Sequence, residues 1–154
     1  MDEINIKLIP CHNDRAMYLC LAKEYVSILQ KYEPGIVWEE SIWDKGIWDA
    51  NFIVDSGVNC GFVVSETVHF KGKRSLLYIE EFYIPKEEGR RHVGVEAVRK
   101  LVSGWDGDVF LYILDKNEDG KAFWSAVEEM LGWKRIERDD VRKEDGCELR
   151  IFEI

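Results

Sequence analysis

The sequence lacks the hydrophobic segments that direct a protein to a membrane or across it. Its first five residues, Met-Asp-Glu-Ile-Asn, contain no basic segment followed by an apolar run, which a secretory signal would show. No apolar stretch approaches the roughly 20 residues that a membrane-spanning helix requires. We therefore expect a cytoplasmic protein.

Cysteine is scarce, and its spacing carries no metal-binding pattern. The four cysteines, Cys11, Cys20, Cys60 and Cys147, form no CxxC pair, and no histidine lies at metal-site spacing from two of them. Disulfides are not expected in the cytoplasm, and the neighbours of the four thiols are largely apolar. We therefore expect four small buried thiols and no metal cofactor.

The sequence also lacks an excess of basic charge. Its 154 residues include 30 acidic and 21 basic side chains, which give a formal net charge of −9. Nucleic acids and anionic membrane surfaces are disfavoured as partners, because both need clustered lysine and arginine. Acidity permits a cationic substrate, although most acidic proteins simply have a solvated acidic surface. Hydrophobic residues at 46% exclude disorder, and the length predicts one domain over residues 1–154.

Several familiar motifs are missing or incomplete. The segment 115–120 begins like a calcium-binding loop, but position twelve of that loop is Ala126 rather than a bidentate glutamate. The sequence contains no phosphate-binding GxxxxGK[ST] loop and no GxSxG nucleophile motif. Calcium binding, nucleotide hydrolysis and serine hydrolysis therefore have no motif in their favour.

Apolar periodicity predicts a mixed sheet with helices packed on it. Alternation indicates a first strand at 4–9, and a helix follows from Asn13 or Asp14 to about Tyr32. The apolar positions of that helix are Met17, Leu21, Tyr25, Ile28 and Leu29. The segment 38–49, rich in tryptophan and acids, predicts a short helix or an ordered loop. The later predicted elements are strands at 52–55, 60–68, 76–84, 109–114, 133–138 and 148–152, and helices after residue 89 and at 121–131.

One strand and the turn after it carry the most specific signal. The predicted strand 76–84 leads into a charged turn, 89–94, which opens a helix. Backbone N–H groups and the positive dipole end at a helix N-terminus favour a bound phosphate, and Arg90 and Arg91 add positive charge. Taken alone, the turn is also consistent with a capped helix and a solvated basic loop.

These residues and their order resemble the GNAT superfamily of acyl-CoA-dependent N-acetyltransferases. In that family a pyrophosphate signature, Arg or Gln-x-x-Gly-x-Gly or Ala, follows the fourth strand and aligns here with residues 89–94. Gly89 stands where the family prefers Arg or Gln, and His92 stands where it prefers the first glycine. A second family block, Asn-x-x-Ala-x-x-Phe-Tyr followed by Gly-Phe, aligns with Asn117, Gly120, Phe123-Trp124 and Gly132-Trp133.

The resemblance implies a fold and a cofactor. The fold is α+β (mixed α/β), with a mostly antiparallel sheet of six to seven strands, helices on both faces, and a splay between strands four and five. The cofactor is acetyl-CoA as the acyl donor, with no metal, and a homodimer is possible. The cofactor-binding residues that the resemblance implies are Phe82, Tyr83, Ile84, Gly89, Arg90, Arg91, His92, Val93, Gly94, Val95, Asn117, Phe123 and Trp124.

Acetyl transfer to an amine needs a general base, because only the neutral amine attacks the thioester. Carried over from the diamine and polyamine acetyltransferases of the family, Glu80 matches the base and Glu81 its acidic neighbour. Alternation along the strand places the two on opposite faces, and one of them is expected to be solvated. A backbone N–H near Tyr83 or Ile84 is expected to stabilise the oxyanion.

Trp124 stands where the family tyrosine usually protonates the leaving thiolate. An indole donates a hydrogen bond but is not a usable acid. Either Tyr112 or Tyr83 supplies the proton instead, or the thiolate leaves unprotonated, since a thiol pKa of roughly 8.5 makes it a tolerable leaving group.

In this fold, the segment after the first helix and the last two strands form the walls of the acceptor site. That segment carries Trp38, Glu39, Glu40 and Trp43, and acids with aromatic rings suit an alkylammonium ion. The same residues are equally consistent with tryptophans that cap the core and acids that face solvent. The resemblance therefore implies an N-acetyltransferase acting on a primary amine of a small cationic molecule, polyamine- or aminoglycoside-like. The alternatives are an acyl-CoA-binding module without transfer and a protein N-terminal or lysine acetyltransferase.

Overall fold

The computed structural model describes residues 4–86 and 92–154 of the chain. Within those residues, short 3-10 turns lie at Cys11–Asp14 and Gly46–Asp49. The strands are β1 (Ile6–Pro10), β2 (Ala50–Asp55), β3 (Val58–Val68), β4 (Leu76–Tyr83), β5 (Asp108–Leu114), β6 (Lys134–Arg135) and β7 (Cys147–Glu153). The helices are α1 (Arg15–Leu29), α2 (Glu40–Lys45), α3 (Val93–Leu101) and α4 (Glu118–Leu131). This order confirms the predicted succession of strands and helices.

The strands form one sheet in the order β1-β2-β3-β4-β5-β7-β6. Strands β4 and β5 run parallel, whereas the pairs β1–β2, β2–β3, β5–β7 and β6–β7 are antiparallel. The parallel register joins residues 76–78 to residues 108–110, although β4 continues to Tyr83 and β5 to Leu114. The mostly antiparallel seven-stranded sheet confirms the predicted fold class, and the short parallel ladder agrees with a splay between the fourth and fifth strands.

The chain divides into two compact units, and both β3 and β4 pass from one unit into the other. The first unit comprises residues 1–64 and 81–103, and the second comprises residues 65–80 and 104–154. Each unit has its own cluster of buried side chains. The expectation of a single domain over residues 1–154 stays a prediction.

Helix α1 begins where the carboxylate of Asp14 accepts a hydrogen bond from the N–H of Met17 at 3.1 Å. Its buried side chains recur at three- and four-residue spacing and are Tyr18, Leu19, Ala22 and Val26. Of the predicted apolar positions, Leu21, Tyr25 and Ile28 pack against this core as half-buried side chains, whereas Met17 was wrong because it is exposed. The helix ends at Leu29, three residues before the predicted end, and hydrogen-bonded turns follow it.

Six aromatic side chains pack at the centre of the first unit and are called the aromatic cluster. Its members are Tyr18, Tyr25, Trp38, Trp43, Phe62 and Tyr83. Their ring centroids lie 5.3–6.5 Å apart, mostly at steep angles, which suits the ring quadrupoles. The Tyr18 hydroxyl also donates to the carbonyl oxygen of Trp43 at 2.8 Å. The cluster thus ties the segment after α1, and the last residue of β4, to the helix.

The second unit uses both faces of β5 and β7. On one face Tyr78 stacks on Phe110 at a centroid distance of 4.6 Å, and Tyr112 meets both rings edge-on. On the other face, Arg150 donates to the Ser125 hydroxyl of α4 at 3.0 Å and pairs with Glu128 at 3.3 Å. A buried arginine needs such partners, because an unpaired buried charge is strongly destabilising. Helix α4 is therefore held to the sheet by ion pairing as well as by apolar contact.

The four thiols differ in exposure, which corrects the expectation that all are buried. Cys11 and Cys60 are buried and Cys147 is half-buried, but Cys20 is exposed on the outer face of α1. Burial raises the pKa of the Cys11 thiol to about 12. Since the thiolate is the reactive form, Cys11 is unreactive near neutral pH while the protein stays folded.

We predict that a disulfide reagent at pH 8 titrates the exposed thiol of Cys20 rapidly and reaches Cys11 only after unfolding. The absorbance of the released thiol measures both phases. Replacing Cys20 with serine should remove about one equivalent from the fast phase, whereas the control Cys11→Ser should leave it unchanged. A fast phase that shrinks in Cys11→Ser would contradict this assignment.

Candidate functional site

The end of β4 carries Glu80, the predicted base, and Glu81, its predicted acidic neighbour. Glu80 is exposed, whereas Glu81 is half-buried and its Oε2 atom is buried. Alternation places Glu80 on the same side of the strand as Tyr78, and Glu81 on the side of the buried Ile79. Their roles stay predictions. The geometry offers one carboxylate to solvent and directs the other inward.

Tyr83, the last residue of β4, is fixed through its side chain. Its hydroxyl donates a hydrogen bond to Oε1 of Glu24 on α1 at 2.7 Å. Its ring is 6% exposed and lies 5.3 Å from the ring of Tyr25 and 6.1 Å from that of Phe62. Sequence reasoning missed Glu24, because its partner lies 59 residues away along the chain and no local pattern links the two. Phe82 and Ile84, on either side of Tyr83, are half-buried.

The backbone of Tyr83 is fixed as well, by a glycine on β3. Gly61 has a φ of +153°, and a Cβ atom at that position would lie 1.9 Å from the carbonyl oxygen of Tyr83. No other residue type fits without moving β4. Sequence reasoning also missed Gly61, since an isolated glycine in a strand signals close backbone approach without naming the partner.

His92 adopts the left-handed conformation, with φ 61° and ψ 25°, immediately before α3. That conformation is common for glycine and uncommon for a side-chain-bearing residue, and His92 stands where the pyrophosphate signature prefers glycine. The side chain is exposed, and the next three residues, Val93, Gly94 and Val95, are buried in the first turn of the helix. Their N–H groups belong to the helix start, where no intrahelical carbonyl is available to accept them. Gly89, Arg90 and Arg91 lie outside the described residues.

The second predicted cofactor block lies at the start of α4. Asn117 caps the helix, because its Oδ1 accepts the N–H of Gly120 at 2.9 Å. A Cβ atom at Gly120 would lie 2.6 Å from Nδ2 of Asn117, so the glycine leaves room for the capping side chain. Trp124 is buried, and its ring meets that of the half-buried Phe123 edge-on at 4.9 Å. Whether these residues contact a cofactor stays a prediction.

Tyr112, the proposed substitute acid, already donates its hydroxyl proton to the carbonyl oxygen of Arg142. Burial raises the pKa of this phenol, and the nearby Glu144 carboxylate raises it further. An acid role would require the bond to Arg142 to be exchanged first. In this arrangement neither Trp124, an indole, nor Tyr112, whose proton is already donated to Arg142, is set to protonate the leaving thiolate.

The predicted acceptor segment divides between the core and the surface. Trp38 and Trp43 are half-buried members of the aromatic cluster, whereas Glu39 and Glu40 are exposed at the start of α2. Asp44 of the same helix pairs with Arg15 at 2.6 Å. The tryptophans therefore have a packing role in the first unit, and their binding role stays a prediction.

The loop between β6 and β7 lines an open cleft within the second unit. Its lining combines apolar residues of β7, Leu149 and Ile151, with acidic and basic side chains of the loop. Buried Asp108 accepts hydrogen bonds from Arg138 at 3.0 Å and from Arg74 at 3.2 Å. Arg138 therefore anchors the loop to the start of β5, and Arg74 ties the segment before β4 to the same carboxylate. Arg138 also pairs with Asp140, so removing Asp108 would leave this largely buried guanidinium with one of its two carboxylate partners.

Comparison with solved structures identifies the fold. An acetyltransferase of the GNAT family from Bacillus cereus is 12% identical, with a TM-score of 0.61 over 98% of this chain and 96% of that chain. The chain has the GNAT acetyltransferase fold. An aminoglycoside acetyltransferase from an uncultured soil metagenomic sample, in complex with sisomicin, is 12% identical, with a TM-score of 0.61 over 92% and 94%. The NatC complex bound to Gag peptide and CoA is 13% identical, with a TM-score of 0.56 over 98% and 97%.

These likenesses confirm the GNAT resemblance at the level of the fold, and identities this low establish the fold alone. No family model matches the sequence. No curated protein matches it. Residues 89 and 92 depart from the GNAT signature.

Between residues 4–86 and 92–154, no three His, Cys, Asp or Glu side chains are arranged to hold a metal ion. None of the helices in that part of the chain has the length and apolar character needed to span a membrane.

The left-handed backbone at His92 generates a testable prediction about the GNAT signature. Replacing His92 with glycine should raise the free energy of unfolding by about 1 kcal/mol, because glycine adopts this conformation without a Cβ clash. Replacing it with valine should lower that free energy, since a β-branched residue tolerates positive φ poorly. Urea denaturation measures both variants, and a valine variant as stable as the glycine variant would contradict the described geometry.

The cap at α4 separates two roles of Asn117. Asn117→Ala should cost about 1 kcal/mol of stability, whereas Asn117→Asp should keep the cap because a carboxylate also accepts the Gly120 N–H. Thermal unfolding checks stability, and calorimetric titration with acetyl-CoA checks binding. Weaker binding by the equally stable aspartate variant would indicate a cofactor role; equal destabilisation of both variants would argue against the cap.

Proposed function

We propose that the chain is an acetyl-CoA-dependent N-acetyltransferase that acts on a primary amine of a small cationic molecule. The observation that carries the proposal is the backbone at His92, which takes a glycine-like conformation where the GNAT signature prefers glycine. It occurs in a chain that matches acetyltransferases in fold over 92% and 98% of its length. A backbone able to approach phosphate oxygens is therefore kept despite the change of side chain.

The residues present suit the cofactor that the fold implies. The N–H groups of Val93, Gly94 and Val95 at the start of α3 would hold the pyrophosphate, with Arg90 and Arg91 as the proposed cations. Asn117, Phe123 and Trp124 are proposed contacts for the rest of the cofactor. When bound, acetyl-CoA would supply the acetyl thioester, and the chain's own residues would provide position and proton transfer.

Glu80 is the proposed general base. Its carboxylate is exposed, so it can take a proton from an ammonium group directly or through one water molecule. Glu81 carries one buried carboxylate oxygen, which favours a supporting role in the site over proton exchange with solvent. Tyr112 remains a candidate proton donor, subject to exchange of its hydrogen bond with Arg142.

A small cationic acceptor is supported by charge and by one structural neighbour. The chain carries a net charge of −9, and acids such as Glu39 and Glu40 lie exposed beside half-buried aromatic rings, which suits ion pairing and cation–π contact. The neighbour in complex with sisomicin is an aminoglycoside acetyltransferase. A peptide acceptor is the second candidate, because the NatC complex with the same fold binds a peptide.

The direct test is thiol release from acetyl-CoA across a panel of polyamines, aminoglycosides and N-terminal peptides. Glu80→Gln should lower kcat by about 100-fold or more, because general bases contribute roughly 10²–10⁴-fold. Glu153→Gln is the matched control. Glu153 is an exposed glutamate of β7 that lies opposite Asp108, the first residue of β5, in the antiparallel register.

Three results would count against the proposal. Turnover on peptides alone would replace the small amine with the second candidate. Tight binding of CoA without turnover on any amine would indicate a binding module. Equal rates for Glu80→Gln and Glu153→Gln would remove Glu80 as the base.

A further inference from the structure

We infer that Glu24 and Gly61 are positioning residues that hold the end of β4 where the acetyl group of the donor would bind. The inference rests on the proposed function. It also uses the expectation that a backbone N–H near Tyr83 or Ile84 donates a hydrogen bond to the carbonyl oxygen of the acetyl group. Glu24, Gly61 and Tyr83 all belong to the first unit. Neither Glu24 nor Gly61 needs to touch a substrate, because each acts through Tyr83.

The first restraint acts on the backbone. A Cβ atom at Gly61 would lie 1.9 Å from the carbonyl oxygen of Tyr83 and 3.0 Å from the Cα atom of Ile84. Side-chain Cβ atoms essentially never approach other atoms within 3.0 Å, so alanine there would displace this part of β4 by more than an ångström. Gly61 is itself held by Asn59, whose side-chain oxygen accepts its N–H at 3.0 Å. The glycine thus sets how closely β3 and the end of β4 approach.

The second restraint acts on the side chain. The Tyr83 hydroxyl donates to Glu24 at 2.7 Å, and a phenol bonded to a carboxylate makes one of the stronger hydrogen bonds in proteins. The ring is enclosed by the aromatic cluster, so it cannot swing away without unpacking Tyr25 and Phe62. Glu24 therefore anchors Tyr83 to α1, while Gly61 holds its carbonyl against β3.

Together the two restraints are expected to affect kcat more than the affinity for acetyl-CoA. Misplacing a reacting group by about 1 Å can lower a rate on the order of 100-fold. The proposed phosphate contacts, from Arg90 to Val95, lie six residues or more after Ile84. Loosening Tyr83 should therefore lower kcat while KM for acetyl-CoA changes little.

The test compares four substitutions in the full chain. Gly61→Ala and Glu24→Ala should each lower kcat by about 10- to 100-fold. Glu24→Gln should restore most of the loss, since its side-chain oxygen also accepts the Tyr83 hydroxyl. Gly107→Ala is the matched control, because its Cβ would overlap the carbonyl oxygen of Ser75 at 2.5 Å within the second unit.

A second readout does not depend on turnover. The amide resonances of Tyr83 and Ile84 are followed by NMR as CoA or acetyl-CoA is added. In the wild type, acetyl-CoA should shift one of them further than CoA does; Gly61→Ala and Glu24→Ala should lose this difference, and Gly107→Ala should keep it.

The outcomes separate the inference from the function on which it rests. Wild type that neither binds acetyl-CoA nor releases thiol would overturn the proposed function itself. An active wild type in which Gly61→Ala and Glu24→Ala match Gly107→Ala in rate and resonance shifts would overturn the inference alone. Glu24→Gln as impaired as Glu24→Ala would also overturn it, because the carboxylate charge would then act directly on the acceptor.

Discussion

Strand β4 ends against β3 at a contact that only a glycine allows, and the site proposed for the acetyl group depends on that contact. Gly61 brings its backbone against the carbonyl oxygen of Tyr83, and the phenol of Tyr83 reaches Glu24 on α1. Side-chain packing then encloses the ring on the remaining sides. The result is a rigid strand end, which is the kind of support a reacting group needs.

The two nominated acids illustrate how one strand serves different purposes. Glu80 faces solvent and Glu81 turns one oxygen inward, because consecutive residues of a strand point to opposite sides. A base must exchange protons with its surroundings, which favours the solvated residue. Glu80 is thus one acid of the negatively charged surface for which the account proposes a specific role. Its other members near the proposed acceptor segment, Glu39 and Glu40, are exposed on α2.

Sequence patterns predicted the order of elements and the mixed sheet, since both follow from local periodicity, and a short motif placed His92 where the GNAT signature prefers glycine. They did not predict the left-handed backbone at His92. They did not reveal Glu24 or Gly61, whose partner Tyr83 is distant along the chain. They also assigned the exposed Met17 to the apolar face of α1 and left out the fully buried Tyr18 and Ala22, since the pattern alone does not show which side of the helix packs most deeply. The exposure of Cys20 was also not predicted, because its apolar neighbours along the sequence do not show which side of α1 it lies on.

The measurement that tests the account most directly is a crystal structure of the chain with CoA bound. We expect the pyrophosphate oxygens within hydrogen-bond distance of the N–H groups of Val93, Gly94 and Val95, with the backbone of His92 still left-handed. We also expect the thiol end of the cofactor to reach the end of β4 near Tyr83. Density for CoA elsewhere on the chain, or a His92 that leaves the left-handed region on binding, would contradict the account.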